Sequence, residues 1–330
     1  MAAIQDLRMR PCPPMLSVPT NYRDVEVRLP PSLRRFGERT RVRITGNFDG
    51  PVVAALGGIS GSRFVCRGEN GEPGWWADLI GEGQAIDPAK FCVLGVDFAA
   101  DPTGRCAPSS EDQARVLEAA LEAAAIPRLH AIVGASYGGM VALSFAEHFA
   151  DRVEKLVIIS AGGEPHPAAS ATRELQRRIV ALGIERGAGE QALSIARGMA
   201  MLSYRTPAEF GERFRGGIES ENPLEMSEPG AYLRARGNAF TVVMSPERFL
   251  SLSGSIDRHR IDPARIATPA LLIGATSDQL VPPSQTIALA AELAGPTELH
   301  LLDCLCGHDM FLKQAASVGR LIKPFLDQRR

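Results

Sequence analysis

With 330 residues the chain is long enough for one large α/β domain with an insertion, or for two small domains, and for a substantial buried core. A net charge of −2 without a basic stripe or an acidic tail argues against nucleic acid and anionic membrane as partners, and no uninterrupted apolar run is long enough to span a bilayer. The six cysteines (Cys12, Cys66, Cys92, Cys106, Cys304, Cys306) lack CxxC pairs and zinc spacing, so they read as reduced thiols of a cytoplasmic protein, with no metal site expected.

Residues 1–22 are proline-rich and carry Asp6 and arginines where a secretory signal has an apolar stretch, which reads as a surface arm. Period-two alternation over 24–29 and 40–44 predicts two strands suited to an antiparallel pair at a sheet edge. The apolar run 51–56 predicts a buried strand ending in Gly57-Gly58-Ile59-Ser60-Gly61-Ser62, and 91–97 predicts another, with Trp75 and Trp76 between them read as core and rim packing. A helix is expected over 110–125, with Glu111 and Asp112 in its first turn and Pro127 beyond its end. A strand that begins at 131 and enters the turn at Gly134, a helix closing near 148–151 and the strand 153–160 follow.

Strands alternating with helices argue an α/β, mostly parallel, doubly wound sheet. The pattern breaks between 165 and 260, where helices are expected over 173–182, 190–203 and 207–214 and no strand is convincing. A helical insertion after a strand, in a fold whose chemistry sits at the carboxyl ends of its strands, is placed to act as a lid. The alternation resumes with a strand at 269–274, a helix at 284–294, a strand at 298–302 and a C-terminal helix at 310–326. The organisation expected is an arm at 1–22, a core formed by 23–164 with 261–330, and a lid at 165–260.

The chemistry centres on Gly134-Ala135-Ser136-Tyr137-Gly138, a G-x-S-x-G turn between a strand and a helix. That context pushes a serine hydroxyl out of the sheet and aims a helix N-terminus at it, which makes Ser136 the candidate nucleophile. The amide of Tyr137 and the glycine loop at Gly58 and Ile59 are the expected oxyanion donors, as in an α/β-hydrolase fold.

Serine needs a histidine to take its proton and a carboxylate to orient that histidine. His308, in a loop after the last predicted strand, lies at the same sheet edge as Ser136, whereas His130, His148, His166, His259 and His300 read as structural or surface residues. Asp278 directly follows the 269–274 strand and completes the order Ser136, Asp278, His308 that this fold demands, with Asp303 and Asp309 as weaker candidates.

Four passages together resemble the homoserine O-acyltransferase family: Gly134 to Met140, Ala196 to Arg205, Ser277-Asp278-x-Leu280-x-Pro282-Pro283 and Gly307-His308-Asp309-x-Phe311-Leu312. That resemblance runs from about 56 to 312 and implies an α/β-hydrolase-fold enzyme that moves an acetyl or succinyl group from coenzyme A to the hydroxyl of homoserine, towards methionine. It implies no cofactor beyond the acyl-CoA co-substrate, small-molecule substrates, and a homodimer assembled through the helical insertion. It further implies Ser136, Asp278 and His308 as the triad, Arg197 as ligand of the substrate carboxylate and Asp309 as ligand of its amino group. Tyr204, two helical turns beyond Arg197, is expected to line the site. The family commonly has methionine where Tyr137 stands. Many succinyl-transferring members have arginine where Leu280 stands, which points to acetyl, while Arg63 follows the glycine loop closely enough to meet a succinyl carboxylate. The donor therefore stays open between acetyl-CoA and succinyl-CoA. A serine O-acyltransferase of the same family, and an esterase or lactonase with the same triad, are the alternatives.

Overall fold

The protein is described here from a computed structural model covering residues 21–66, 68, 72–218, 221–222 and 224–328. The expected surface arm at 1–22 lies outside them apart from its last two residues. Eight strands form one sheet: β1 (Tyr22–Arg28), β2 (Arg39–Gly46), β3 (Val52–Leu56), β4 (Cys92–Val96), β5 (Ala131–Ala135), β6 (Leu156–Ile159), β7 (Ala270–Ala275) and β8 (Thr297–Leu302). Their spatial order is β1-β2-β4-β3-β5-β6-β7-β8. The alternating strands β1 and β2 make the antiparallel edge, β2 also pairs antiparallel with β4, and every other pairing is parallel.

Every residue of β4, β5, β6 and β7 is buried. That is what continuous apolar runs require of parallel strands covered on both faces. Successive side chains divide between two cores. Ala54, Leu56, Leu94, Ile132, Ile158 and Leu272 face one cluster, and Val53, Ala55, Val93, Val133, Ile159 and Ile273 face the other. Burying each such Val, Ile or Leu is worth about 1.5–3 kcal/mol.

Helices α1 (Ser110–Ala123) and α2 (Tyr137–His148) cover the first face. Ser109 closes a capping box with Asp112 at the start of α1, where the acidic first turn was expected. Between β6 and β7 the chain leaves the sheet for five helices: α3 (Pro167–Glu185), α4 (Gly189–Tyr204), α5 (Pro207–Arg213), α6 (Glu228–Thr241) and α7 (Pro246–Asp257). The last two were not individually expected. Thr206, Ser227 and Ser245 cap α5, α6 and α7, each accepting a backbone N–H three residues on. Helix α8 (Pro283–Glu292) follows β7. The C-terminal helix expected over 310–326 is broken, because Gln314 leaves helical geometry (φ −110°, ψ 33°) between α9 (Met310–Lys313) and α10 (Ala315–Asp327). Helix α10 covers the second face through Val318, Ile322 and Phe325.

Among the described residues Cys66, Cys92, Cys106, Cys304 and Cys306 are free thiols, and no helix is long and apolar enough to cross a membrane.

Candidate active site

Strand β5 delivers the chain to Ser136, whose backbone sits at φ 54° and ψ −120°. A side chain other than glycine is rarely found there, and holding it costs about 1–3 kcal/mol. The surroundings over-determine the turn. The Ser136 N–H donates to the Ile159 carbonyl at 2.8 Å, and the Ser136 carbonyl accepts from Gly139 at 2.9 Å. A Cβ on Gly134 would lie 2.4 Å from the Gly138 carbonyl oxygen, and one on Gly138 would lie 2.3 Å from that of Leu56. Both positions of the motif are therefore glycine because backbone passes against backbone.

His308 arrives in the short turn Gly307–Asp309 after β8. Its Nδ1–H donates to Asp278 Oδ2 at 2.8 Å, and its Nε2 accepts from the Ser136 hydroxyl at 2.8 Å. Asp278 is 4 % exposed, and its other oxygen accepts from the amides of Leu280 at 2.9 Å and Val281 at 3.0 Å. The acid and base loops are also tied together, since the Gly307 N–H donates to Ser277 Oγ at 3.2 Å and Ser277 donates to the Cys304 carbonyl. Burial works against protonating His308, but the carboxylates of Asp278 and Asp309 outweigh it and hold the imidazole above its ordinary pKa. Of the weaker acids, Asp303 accepts from Thr276 at 3.1 Å and Asp309 pairs with Arg205.

Tyr137 is the first residue of α2, so its amide is one of the helix's orphan donors. Its side chain turns the other way: the ring meets Phe98 edge-on at 4.8 Å and the hydroxyl bonds Ser255 on α7, with burial pushing the phenol pKa up. The loop at Gly58 and Ile59 leaves β3 directly after Leu56, which is in register with Gly134 on β5, so it emerges beside the Ser136 turn. Trp75 braces that loop. Its Nε1–H donates to the Ser62 carbonyl at 2.9 Å, and a Cβ on Gly57 would lie 2.7 Å from its ring. Trp75 also stacks on the buried Trp76 at 4.7 Å, the core and rim packing expected of the pair.

A narrow cavity of about 50 Å³ opens at Ser136 and His308, walled by Met140, Leu280 and Val281 from the core and by Arg173, Gln176 and Tyr204 from the insertion. Tyr204 is where the helical spacing put it, its ring 5.9 Å from that of His308. Arg197 stands behind it, its guanidinium 5.1 Å from the Tyr204 ring and 4.6 Å from the Phe240 ring. Asp309 does not line the cavity; its Oδ2 accepts from Arg205 Nε at 3.1 Å.

Arg63 is not brought to the site, and the expectation that it meets an acyl carboxylate is corrected. Its guanidinium is held by Asp97 at 2.6 Å and lies 3.6 Å from Asp24, because the chain after the glycine loop doubles back along β4. Conversely His166, expected to be structural, lines the cavity, and so do Arg173 and Gln176, which drew no notice in the sequence. Of the remaining histidines, His130 is bound to Glu154 and the Leu326 carbonyl, and His259 to Ser110 and the Gly162 carbonyl.

A hydroxyl, an imidazole and a carboxylate in relay beside amide donors can form and resolve an ester on serine. Comparison with known proteins agrees with that chemistry. The sequence pattern of the alpha/beta hydrolase fold family matches residues 69–315. The homoserine O-succinyltransferase of Xanthomonas campestris pv. campestris is 40% identical over 286 residues, covering 86% of this chain and 78% of that protein. The homoserine O-acetyltransferase of Thermus thermophilus is 31% identical over 291 residues, covering 78% of this chain and 73% of that protein. Among solved structures, esterase E22 superposes with a TM-score of 0.81 at 20% identity, covering 93% of this chain and 100% of that one. The homoserine O-acetyltransferase from Bacillus anthracis does so with a TM-score of 0.80 at 16% identity, covering 94% and 98%. At such identities the structures speak for the fold alone.

Proposed function

The chain belongs to the homoserine O-acyltransferases of the α/β-hydrolase fold, and on that premise we propose that it moves an acyl group from succinyl-CoA or acetyl-CoA to the hydroxyl of L-homoserine, an early step towards methionine. Ser136 is the nucleophile. As His308 Nε2 takes its proton, Ser136 Oγ attacks the thioester carbonyl, and the oxyanion that forms is met by the amides of Tyr137 and of the loop at Gly58 and Ile59. Collapse breaks the C–S bond, and the proton held by His308 goes to the departing thiolate. The homoserine hydroxyl then gives its proton to His308, attacks the acyl-serine and leaves as the ester, returning the proton to Ser136. Asp278 keeps the imidazole in the required tautomer and stabilises it while charged.

Homoserine is a zwitterion and needs one partner for each charge. Arg197 is the carboxylate ligand: among the described residues no carboxylate pairs with it, and aromatic rings hold its guanidinium beside the site. The likeness to the family assigns the amino group to Asp309, next to His308 in the same turn, with its Oδ2 shared with Arg205. The three triad side chains supply the chemistry, so no cofactor beyond the acyl-CoA co-substrate is needed. Helices α3, α4 and α7 contribute to the cavity wall as a lid that keeps water from the acyl-enzyme. Exposed Ile195 and Leu202 on α4, with Val242 and Val243 after α6, favour a homodimer through this insertion. An acyl-CoA co-substrate and free thiols suit the cytoplasm.

The observation that carries this reading is the continuous contact Asp278–His308–Ser136 at 2.8 Å per step. The test is thiol release from acetyl-CoA and succinyl-CoA with and without homoserine or serine. Release that requires homoserine is the expected result; a requirement for serine would rename the acceptor, release without either would make the enzyme an esterase or thioesterase, and no release would remove the transferase.

A further inference from the structure

The loop that carries His308 holds two thiols immediately before it. Cys304 and Cys306 flank Leu305 in the turn between β8 and Gly307, and both are partly exposed, whereas Cys66 and Cys92 are buried. Two Cα steps of about 3.8 Å, folded at a turn, bring the pair within the roughly 4.4–6.8 Å that a disulfide spans. The sulfurs sense each other: burial pushes the Cys306 thiol pKa up, and the charge of Cys304 adds to that rise. All three peptide carbonyls of this turn are engaged. That of Cys304 accepts the Ser277 hydroxyl, that of Leu305 accepts Thr206 Oγ1 at 2.7 Å, and that of Cys306 accepts the Asp309 N–H at 3.2 Å. Gly307 follows at φ 57°, and a Cβ there would lie 2.6 Å from the Tyr204 carbonyl oxygen. The turn is therefore wedged between the Asp278 loop and the junction of α4 with α5, with no slack to take up a change in its own backbone.

We infer that Cys304 and Cys306 form a redox modification site, a thiol pair that a peroxide closes into a disulfide and that in closing draws His308 away from Ser136. The Cys304 sulfur attacks the peroxide O–O bond, becomes a sulfenic acid and releases water; Cys306 then attacks that sulfur, gives up its proton and expels a second water. Two thiols lose two electrons and two protons, and hydrogen peroxide is reduced to two waters. The order follows from Cys306, whose raised pKa keeps it protonated and makes it the resolving partner. Closing the bond brings the two Cβ atoms to about 3.8 Å, which turns the peptide groups between them and breaks into the three carbonyl contacts. His308 lies two residues on, with its ring nitrogens 2.8 Å from Asp278 and from Ser136. A ring closed over a single intervening residue carries strain, which leaves the disulfide labile to thiols and the change reversible. The inference goes beyond acyl transfer, since it concerns the contact of His308 with Ser136 whatever the acyl acceptor is.

The test treats the full chain with hydrogen peroxide and reads two quantities. One is the mass of the tryptic peptide 266–313, which holds Cys304 and Cys306 and no other cysteine; the other is the rate at which a fluorophosphonate labels Ser136. The peptide should lose two hydrogens while labelling slows by about 10²-fold, the loss that a displacement of about 1 Å produces, and dithiothreitol should restore both. Cys304→Ser and Cys306→Ser should each label at the wild-type rate before treatment and keep that rate after it. Labelling that slows as much in both variants as in the wild type would place the damage on another residue and overturn the inference. A peptide that gains oxygen without losing two hydrogens, or that does not change, would overturn it as well. So would a peptide that loses two hydrogens while labelling stays fast, since the disulfide would then leave His308 in place. Thiol release from acetyl-CoA and succinyl-CoA with homoserine is followed alongside. Its absence in the untreated protein would remove the acyltransferase reading, and the labelling would still decide the redox site.

Discussion

The imidazole of His308 meets the hydroxyl of Ser136 at 2.8 Å across 172 residues of sequence. The contact joins two loops that leave the sheet at the same edge, one after β5 and the other after β8. Replacing Ser136 separates the chemistry of this contact from its structural cost. Ser136→Ala is expected to abolish acyl transfer. Ser136→Gly should do the same while raising the urea midpoint by the equivalent of about 1 kcal/mol, since glycine accepts φ 54° without strain. An unchanged or lower midpoint would mean the turn stores no strain.

The pH dependence follows from His308. It must be neutral to accept the serine proton, and its pKa lies above the ordinary 6.5 because the neighbouring carboxylates outweigh burial. The rate should therefore rise with pH on a limb centred above 6.5. Asp278→Asn removes the nearest negative charge, so the limb should move to lower pH while kcat falls by about 10⁴-fold. A limb that stays in place in the variant would show that Asp278 does not govern the imidazole.

Arg197→Ala should raise the homoserine KM by roughly 10- to 100-fold with a smaller change in kcat, as expected when a charge-assisted contact to the substrate is lost. Steady-state kinetics with homoserine varied at saturating donor will measure it. An unchanged KM would remove Arg197 from the acceptor site.

Gly57→Ala places a methyl 2.7 Å from the Trp75 ring and must displace either the indole or the loop proposed to supply an oxyanion donor. Losing one such donor costs about 10²–10³ in kcat. The variant should approach that loss with KM little changed, and Trp75→Ala in the same background should recover part of it. Failure of that rescue would place the damage elsewhere.

His259 is a buried histidine whose pKa is pushed down to about 4 by burial. The unfolded chain binds its proton near 6.5, so this residue contributes stability above 6.5 that is lost as pH falls towards 4, about 3 kcal/mol in all. Urea titrations of the wild type and His259→Gln between pH 7 and 4 should show a shallower decline in the variant. Parallel curves would mean that His259 is not kept neutral by the fold.

The turn at Ser136, the sheet and the meeting of Ser136, His308 and Asp278 were legible because each rests on local rules: an apolar run for a buried strand, glycines where backbones touch, and loops at one sheet edge. Helices α6 and α7 were harder. Helix α6 buries only Gly237 and Phe240 of its length and so presents no apolar stripe, although Ser227, Glu228 and Pro229 mark its start. Arg63 misled through proximity in sequence, since its partner Asp97 lies 34 residues further on across a strand. Arg173 and Gln176 sit in a charged run that reads as solvated surface. Their burial follows from α3 packing against α4 and α7, a contact that spacing within α3 does not encode.

Tyr137 couples two demands. Its amide begins the helix behind the nucleophile, and its hydroxyl reaches Ser255 in the last helix of the insertion. The helices over Ser136 and His308 are thereby fastened to the very residue whose amide is proposed to meet the oxyanion. A change that loosens one loosens the other, so accuracy of aim and seating of the cover are inherited together.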